Sequence, residues 1–487
     1  MNYTFYIVIF CSIVALIVVP IWFKHRLQFD FFSKTIQKKI ALLNTPFFSS
    51  YVISEIVKIA LYKNNKKIIN LLIDENISKA SKLLMKYNPF YAILLNGFTN
   101  PNLAIKKISA LLKKNPNNSI YAAWLALLYN AVGDKSKSQS SWDNVKYKNL
   151  PLYLKGQHQA YIAHCALKNG DLDFASNLFY QAADLFNRSL AFYEEANIYL
   201  YIGTVYRISF LGDIAETLFL SALKSYRSLN FDEGIAKAFA NLGILMIGQE
   251  RFDEADDYLN KSLDITKKIK QSIALAEIHN QLSLSYLLQK NYSLAQKHLK
   301  TAKRIHDENH NIQGVAFSTD LEANIYWQQQ NFKKAAKYAA NAATLYEKIS
   351  NISAQLDCKY LHAQSLFKLG DDKSSEVVLR EIISIGKQDC GCFYLANTYN
   401  LLGIIFMKRQ DYYRAKGLFQ QSLDLEQRGV RLNALAVDYA NIGIAEMSRG
   451  FNDEAKKNLL IALDFAKQIE DENLSQQIQS LLTQINN

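Results

Sequence analysis

Small residues recur every 40 positions through two thirds of this 487-residue chain: Ala163, Gly203, Gly243, Ser283, Ala323, Ala363, Gly403 and Gly443. Twelve residues after each stands another small one, Ala175, Ala215, Ala255, Ala295, Ala335, Ser375, Ala415 and Ala455. Four further on comes Phe179, Phe219, Leu259, Leu299, Ala339, Leu379, Phe419 or Leu459. A small residue usually returns three later, from Ala182 to Ala462, with Ile382 as the exception. A register held through eight cycles marks a repeat array, which outranks other sequence signals. Small residues mark where two helix backbones approach closely, and the bulky one fills the adjoining space. Each repeat is therefore predicted to be a pair of antiparallel helices. All six prolines lie within the first 151 residues, as expected if the remainder is nearly continuous helix.

These offsets resemble the tetratricopeptide repeat (TPR), whose W-x2-L-G-x2-Y…A-x3-F pattern appears in Tyr399-Leu402-Gly403-Phe406…Ala415-Phe419. The common unit has 34 residues. The 40-residue form is similar to the class in kinesin light chains, the spindle-orientation adaptor LGN and pheromone-regulated bacterial regulators. The resemblance implies an all-α, right-handed TPR solenoid with a concave groove that binds peptides or helices. Turns are expected at Gly170-Asp171, Lys290-Asn291 and Gly370-Asp371. The Gly212-Asp213 pair falls two residues late and predicts a longer first helix in the second repeat. The extra six residues are expected in a loop after the second helix, where Gly234 and Gly314 would take positive φ.

Residues 5–23 form 19 residues without a charge. At ~1.5 Å per residue they reach about the thickness of a bilayer core. The leader lacks a basic residue and the run ends in Pro20-Ile21-Trp22-Phe23, so a single transmembrane helix is read rather than a cleaved signal. Lys24, Arg26, Lys34, Lys38 and Lys39 follow the span and place the rest in the cytoplasm, the bacterial inner membrane being the expected setting. Five cysteines without paired spacing fit a reducing compartment.

The organisation read from the sequence is an anchor (1–25), a basic helical neck or cap (26–76), degenerate 34-residue-type TPR units (77–155), eight 40-residue units (156–475) and a polar C-terminal cap (476–487). Residues 1–155 hold 21 Lys and Arg against 6 Asp and Glu, and the remainder 35 against 38. A lysine-rich solvated surface explains this, as does contact with an anionic leaflet. No nucleic-acid motif accompanies the lysine pairs, so nucleic acid is not an expected partner. The stretch LNTPFFSSYVISEIVKIAL before residue 62 is expected to cap the array or to lie on the membrane.

No phosphate loop, nucleophile elbow, HExxH or tuned carboxylate pair is present, and neither enzymatic activity nor a cofactor is expected. The first helix of each repeat should present a stripe beside its packing face. On it lie Arg207, Lys237, Asn241, Asn280, Asn324, Trp327, Phe367, Asn400 and Asn441, the expected peptide-binding residues; TPR families similar to this one grip a peptide backbone with such asparagines. Glu322 and His362 interrupt an otherwise apolar position and are expected to share a hydrogen bond. Cys358, His362, Cys390 and Cys392 are metal candidates by topology, against reduced thiols and a satisfied polar pair as the plainer reading. The function expected is a membrane-anchored, non-enzymatic scaffold or adaptor. The alternatives are a peptide-responsive conformational sensor and an exported envelope-assembly factor.

Overall fold

The structure, a computed structural model, describes residue 35 and residues 49–386, 392–429 and 431–486. The uncharged stretch 5–23, and with it the anchor and most of the neck, lies outside the described residues. No described helix is long and apolar enough to cross a membrane. The chain divides into two units, residues 1–270 and 271–487. All regular structure in the described residues is helical.

The first unit holds helices α1 (Ser50–Tyr62), α2 (Lys66–Ile73), α3 (Ile77–Leu84), α4 (Pro89–Gly97), α5 (Pro101–Lys114), α6 (Ser119–Ala131) and α7 (Lys135–Asp143). The long hairpins follow: α8 (Leu152–Lys168) with α9 (Leu172–Arg188), α10 (Phe192–Ile208) with α11 (Gly212–Ser228), and α12 (Asp232–Gly248) with α13 (Phe252–Ile269). The second unit continues the pattern with α14 (Ser272–Leu288) and α15 (Tyr292–Glu308), α16 (Ile312–Gln328) and α17 (Phe332–Lys348), and α18 (Ile352–Lys368) and α19 (Asp372–Gly386). It ends with α20 (Cys392–Lys408) and α21 (Tyr412–Gly429), α22 (Leu432–Ser448) and α23 (Asn452–Gln468), and α24 (Glu472–Asn486). Each long hairpin pairs tightly within itself, and several successive first helices, such as α14 with α16 and α18 with α20, also touch directly.

The small residues sit where two backbones meet. An added Cβ would lie 2.7 Å from the Phe219 ring at Gly203, 2.6 Å from Leu259 at Gly243, 2.5 Å from Phe419 at Gly403 and 2.8 Å from Leu459 at Gly443. Where serine replaces the small apolar residue, its hydroxyl donates to a carbonyl across the contact: Ser283 to Ala295 at 2.9 Å and Ser375 to Ala363 at 2.8 Å. The same bond joins Ser138 to Ala126 in the short hairpin α6–α7. A buried hydroxyl is thus satisfied without widening the gap.

The 40-residue repeat resolves into two equal steps of 20. Every long helix from α8 on starts 20 residues after the last. The extra length is in the helices, 17 residues in α8 and α9 against 13 and 9 in α6 and α7, rather than in a loop. Gly170, Leu190, Phe210, Asn230, Glu250 and Lys270 all have positive φ in the first unit, and Lys290, His310, Gln330, Ser350 and Gly370 in the second. After each of these left-handed residues except Lys270 the next N–H reaches back to a carbonyl five positions earlier, as Asp171 to Ala166 and Asp371 to Leu366, a Schellman ending. Asp171, Asn291 and Asp371 then cap the following helix through their side chains.

Two expectations fail here. Gly212 opens α11 and α10 keeps the ordinary 17 residues, because Phe210 rather than glycine makes the turn. Gly234 and Gly314 lie inside α12 and α16, not in loops. A Cβ there would meet the Tyr226 ring at 2.3 Å and the His306 ring at 2.2 Å, so these glycines make room for a large side chain of the preceding helix.

Helix α1 does more than cap an end. It packs on α2, α4 and α10, and Val52, Ile53, Ile56, Val57 and Ala60 are fully buried. Tyr51 stacks on Tyr153 of α8 at 4.6 Å. The Tyr153 hydroxyl accepts from Ser49 at 2.9 Å and Gln157 at 2.9 Å and donates to Glu194 at 3.2 Å. The first-helix side of α4, α8 and α10 is therefore covered by the chain's own N-terminal helix.

Candidate peptide-binding face

The nine expected peptide-binding residues all lie on first helices, but not with one role. Asn280 on α14 is buried, with its amide donating toward His306 and its carbonyl accepting from Ser318 of α16 at 2.9 Å. It holds two first helices together, which corrects the expectation of a peptide contact. Its counterpart Asn400 on α20, half-buried, donates to the Asp438 carboxylate on α22. Asp320 and Cys358 stand in the same relation, 38 residues apart, and are hydrogen-bonded. In these three repeats, then, the polar side chain three residues before the small position faces the next first helix and links to it.

The others are more accessible. Lys237 is exposed and pairs with Glu233 at 2.6 Å, and Asn241 donates back to the Lys237 carbonyl at 2.9 Å. Asn324 donates to Asp320, through both its carbonyl and its carboxylate. Arg207, Trp327, Phe367 and Asn441 are half-buried. Trp327 meets Phe332 edge-on at 5.1 Å, and Lys408 lies over the Phe367 ring at 5.6 Å. Burial holds the Arg207 guanidinium below its ordinary range, and its Nε has no partner among the described residues.

Glu322 accepts from Lys303 at 2.8 Å, and no described hydrogen bond joins it to His362. The lysine satisfies the carboxylate from the adjacent second helix. His362 is half-buried, with its pKa lowered chiefly by burial. Cys358 is buried, and burial with the nearby Asp320 pushes its thiol well up, away from the thiolate a metal would need. Among the described residues no group of three or more His, Cys, Asp or Glu is arranged to hold a metal. Cys390 lies outside the described residues.

Around Asn400 lies a cavity of about 370 Å³. Asn397 and Asn400 of α20, Asn433 and Asp438 of α22, Tyr360 of α18 and Arg431 line it, with Glu426 and Asp471. Arg431 is clamped by Glu426, at 2.6 Å through Nε. Asp438 is only 2% exposed, and burial raises its carboxyl to about 6. Sequence reasoning passed over Asp438, although a signal was there. The equivalent positions in the second to seventh repeats are Ile198, Ala238, Ile278, Ser318, Cys358 and Thr398, all buried and none charged, and the first repeat has a half-buried His158.

Residues 194–268 match the family model described as tetratricopeptide repeat. The mitochondrial tetratricopeptide repeat protein 19 homolog of Drosophila melanogaster is 26% identical over 208 residues, 39% of this chain and 55% of that protein. The chain thus spans about half the length of that curated relative. Among solved structures, a signal transduction ATPase with numerous domains and a tetratricopeptide repeat sensor, from Pyrococcus horikoshii, superposes with a TM-score of 0.51 at 15% identity. That match covers 82% of this chain and 64% of the other. The apo form of the quorum sensor NprR from B. thuringiensis gives 0.50 at 13% identity, covering 71% of this chain and 97% of that one. At these identities the structures speak to the fold. The family match covers residues 194–268, and with a hairpin register running through both units the fold is that of a tetratricopeptide-repeat array.

Proposed function

We propose that this protein is a membrane-tethered, non-enzymatic adaptor whose first-helix face in the second unit binds extended peptides or helices of partner proteins. The observation that carries the reading is the contrast between units. In the first, α1 packs on α4 and α10 and its Tyr51 stacks on Tyr153 of α8, which supports a helix as an occupant of such a face. In the second, Asn324, Trp327, Phe367, Asn400 and Asn441 line first helices at half-burial. Half-buried aromatics and amides are the combination that gives a peptide both apolar area and backbone hydrogen bonds. Tethering through residues 5–23 would raise the effective concentration of a captured partner at the bilayer. The basic N-terminal third adds attraction to anionic headgroups.

The test is photo-crosslinking from positions 327, 367 and 441 in native membranes, followed by mass spectrometry. The expected result is a small set of partners whose capture falls at least tenfold in a Trp327→Ala/Phe367→Ala variant. Equal capture by the variant would refute the reading.

A further inference from the structure

Among its described residues the second unit buries three carboxylates, Glu426, Glu446 and Asp438. Two of them have cations: Arg431 binds Glu426, and both Lys416 and Arg449 bind Glu446. Asp438 forms no ion pair among the described residues. It takes the Asn400 amide on one oxygen, while Oδ2 is buried and has no hydrogen-bond partner. The Ser422 hydroxyl and the Arg431 guanidinium lie close to Asp438 and favour its charged form, but that hydroxyl donates to the Ala396 carbonyl at 3.0 Å and the guanidinium is held by Glu426. A buried carboxylate oxygen without a donor is costly, and native structures rarely leave one.

The surroundings indicate what is missing. Asp438 lines the cavity beside Asn400, where Asn397 and Asn433 offer further amide oxygens and Tyr360 an aromatic ring. Three carboxylates there, Glu426, Asp438 and Asp471, face a single guanidinium, Arg431, which Glu426 already holds. The volume of about 370 Å³ exceeds that of a bare ion and suits a side chain. A flat, many-donor cation satisfies a carboxylate, amide carbonyls and a ring together.

We propose that this cavity receives an arginine or lysine side chain of the bound peptide, with Asp438 as its counter-ion. The assignment rests on the peptide-binding reading above and gives it a sequence preference: a basic residue in the bound segment. Arginine is favoured over lysine because its fork engages several acceptors at once.

The experiment uses the full chain in nanodiscs and four mixtures of fluorescent pentapeptides, random except for a central Arg, Lys, Gln or Glu. Binding is read by polarisation for the wild type and for Asp438→Asn, which keeps the side-chain shape. The expected result is at least tenfold tighter binding of the Arg mixture than of the Gln mixture, with Lys between and Glu weakest. In Asp438→Asn that advantage should vanish, with an unchanged far-ultraviolet circular dichroism spectrum certifying the variant's fold. Equal binding of all four mixtures, or an Arg preference unchanged in the variant, overturns the cation assignment and leaves the peptide-binding reading standing. Binding of no mixture overturns both.

Discussion

A methyl group on Gly403 would sit 2.5 Å from the Phe419 ring, a distance at which either the ring or the helix must move. Gly403→Ala is therefore expected to destabilise the second unit by about 1–3 kcal/mol, as overpacking does. Adding Phe419→Leu recreates the Ala363–Leu379 pair of a neighbouring hairpin, so the double variant should lose less than the two single ones combined. Denaturant midpoints of the four proteins test this. Asp438 and Asp320 supply a second prediction. Burial raises both carboxyls from 3.8 to about 6, so the folded chain binds these protons more tightly than the unfolded one. Their contribution to stability is full below 3.8 and is lost as the pH rises through about 6. Asp438→Asn should melt higher than the wild type above that range, and the gap should close on acidification. The apolar register was legible from single residues because a small side chain at a close contact has no substitute. Asn280 was misread because an amide on the same stripe serves equally well to join two helices or to hold a peptide.

Between helices the linkers carry a different constraint. Gly370 has φ +80° with open space around the missing Cβ, so Gly370→Ala meets only the backbone penalty. A loss of about 1 kcal/mol is expected, measurable as a lowered denaturant midpoint. The turns at Gly170, Lys290 and Gly370 were legible in the sequence, whereas those that use Leu190, Phe210 or Gln330 instead of glycine were not. Their Schellman bonds hold the left-handed residue whatever its side chain. For the same reason Gly234 and Gly314, the glycines that looked like turns, are helical. Helix α1 yields another prediction. Tyr153→Phe removes the hydroxyl that accepts from Ser49 and Gln157 and donates to Glu194. Stranding those buried groups costs about 1–3 kcal/mol. Hydrogen exchange should accelerate across residues 50–62 well before it does in α12 and α13. The apolar pattern left this segment either a cap or a membrane-surface stretch, and only the fold shows that it packs on α2, α4 and α10 and reaches Tyr153, about 100 residues downstream.

Taken over its full length, the chain keeps its cations apart from its balanced remainder: 21 Lys and Arg against 6 Asp and Glu up to residue 155, then 35 against 38. Residues 24–487, lacking the uncharged stretch, are expected to cosediment with phosphatidylserine vesicles at low salt. They should be released at about 0.5 M NaCl, where screening is strong; cosedimentation that ignores salt would point to apolar insertion instead. The spacing of helix starts bears on how such a protein can change in length. Asn311 and Asn351 cap successive first helices after His310 and Ser350, both left-handed. Excising residues 312–351 would rejoin Asn311 to Ile352 with cap, turn and helix role unchanged. Excising 312–331 would preserve the cap but put α17, a second helix, into a first helix's place. Natural size variants of this protein should accordingly differ by whole multiples of forty.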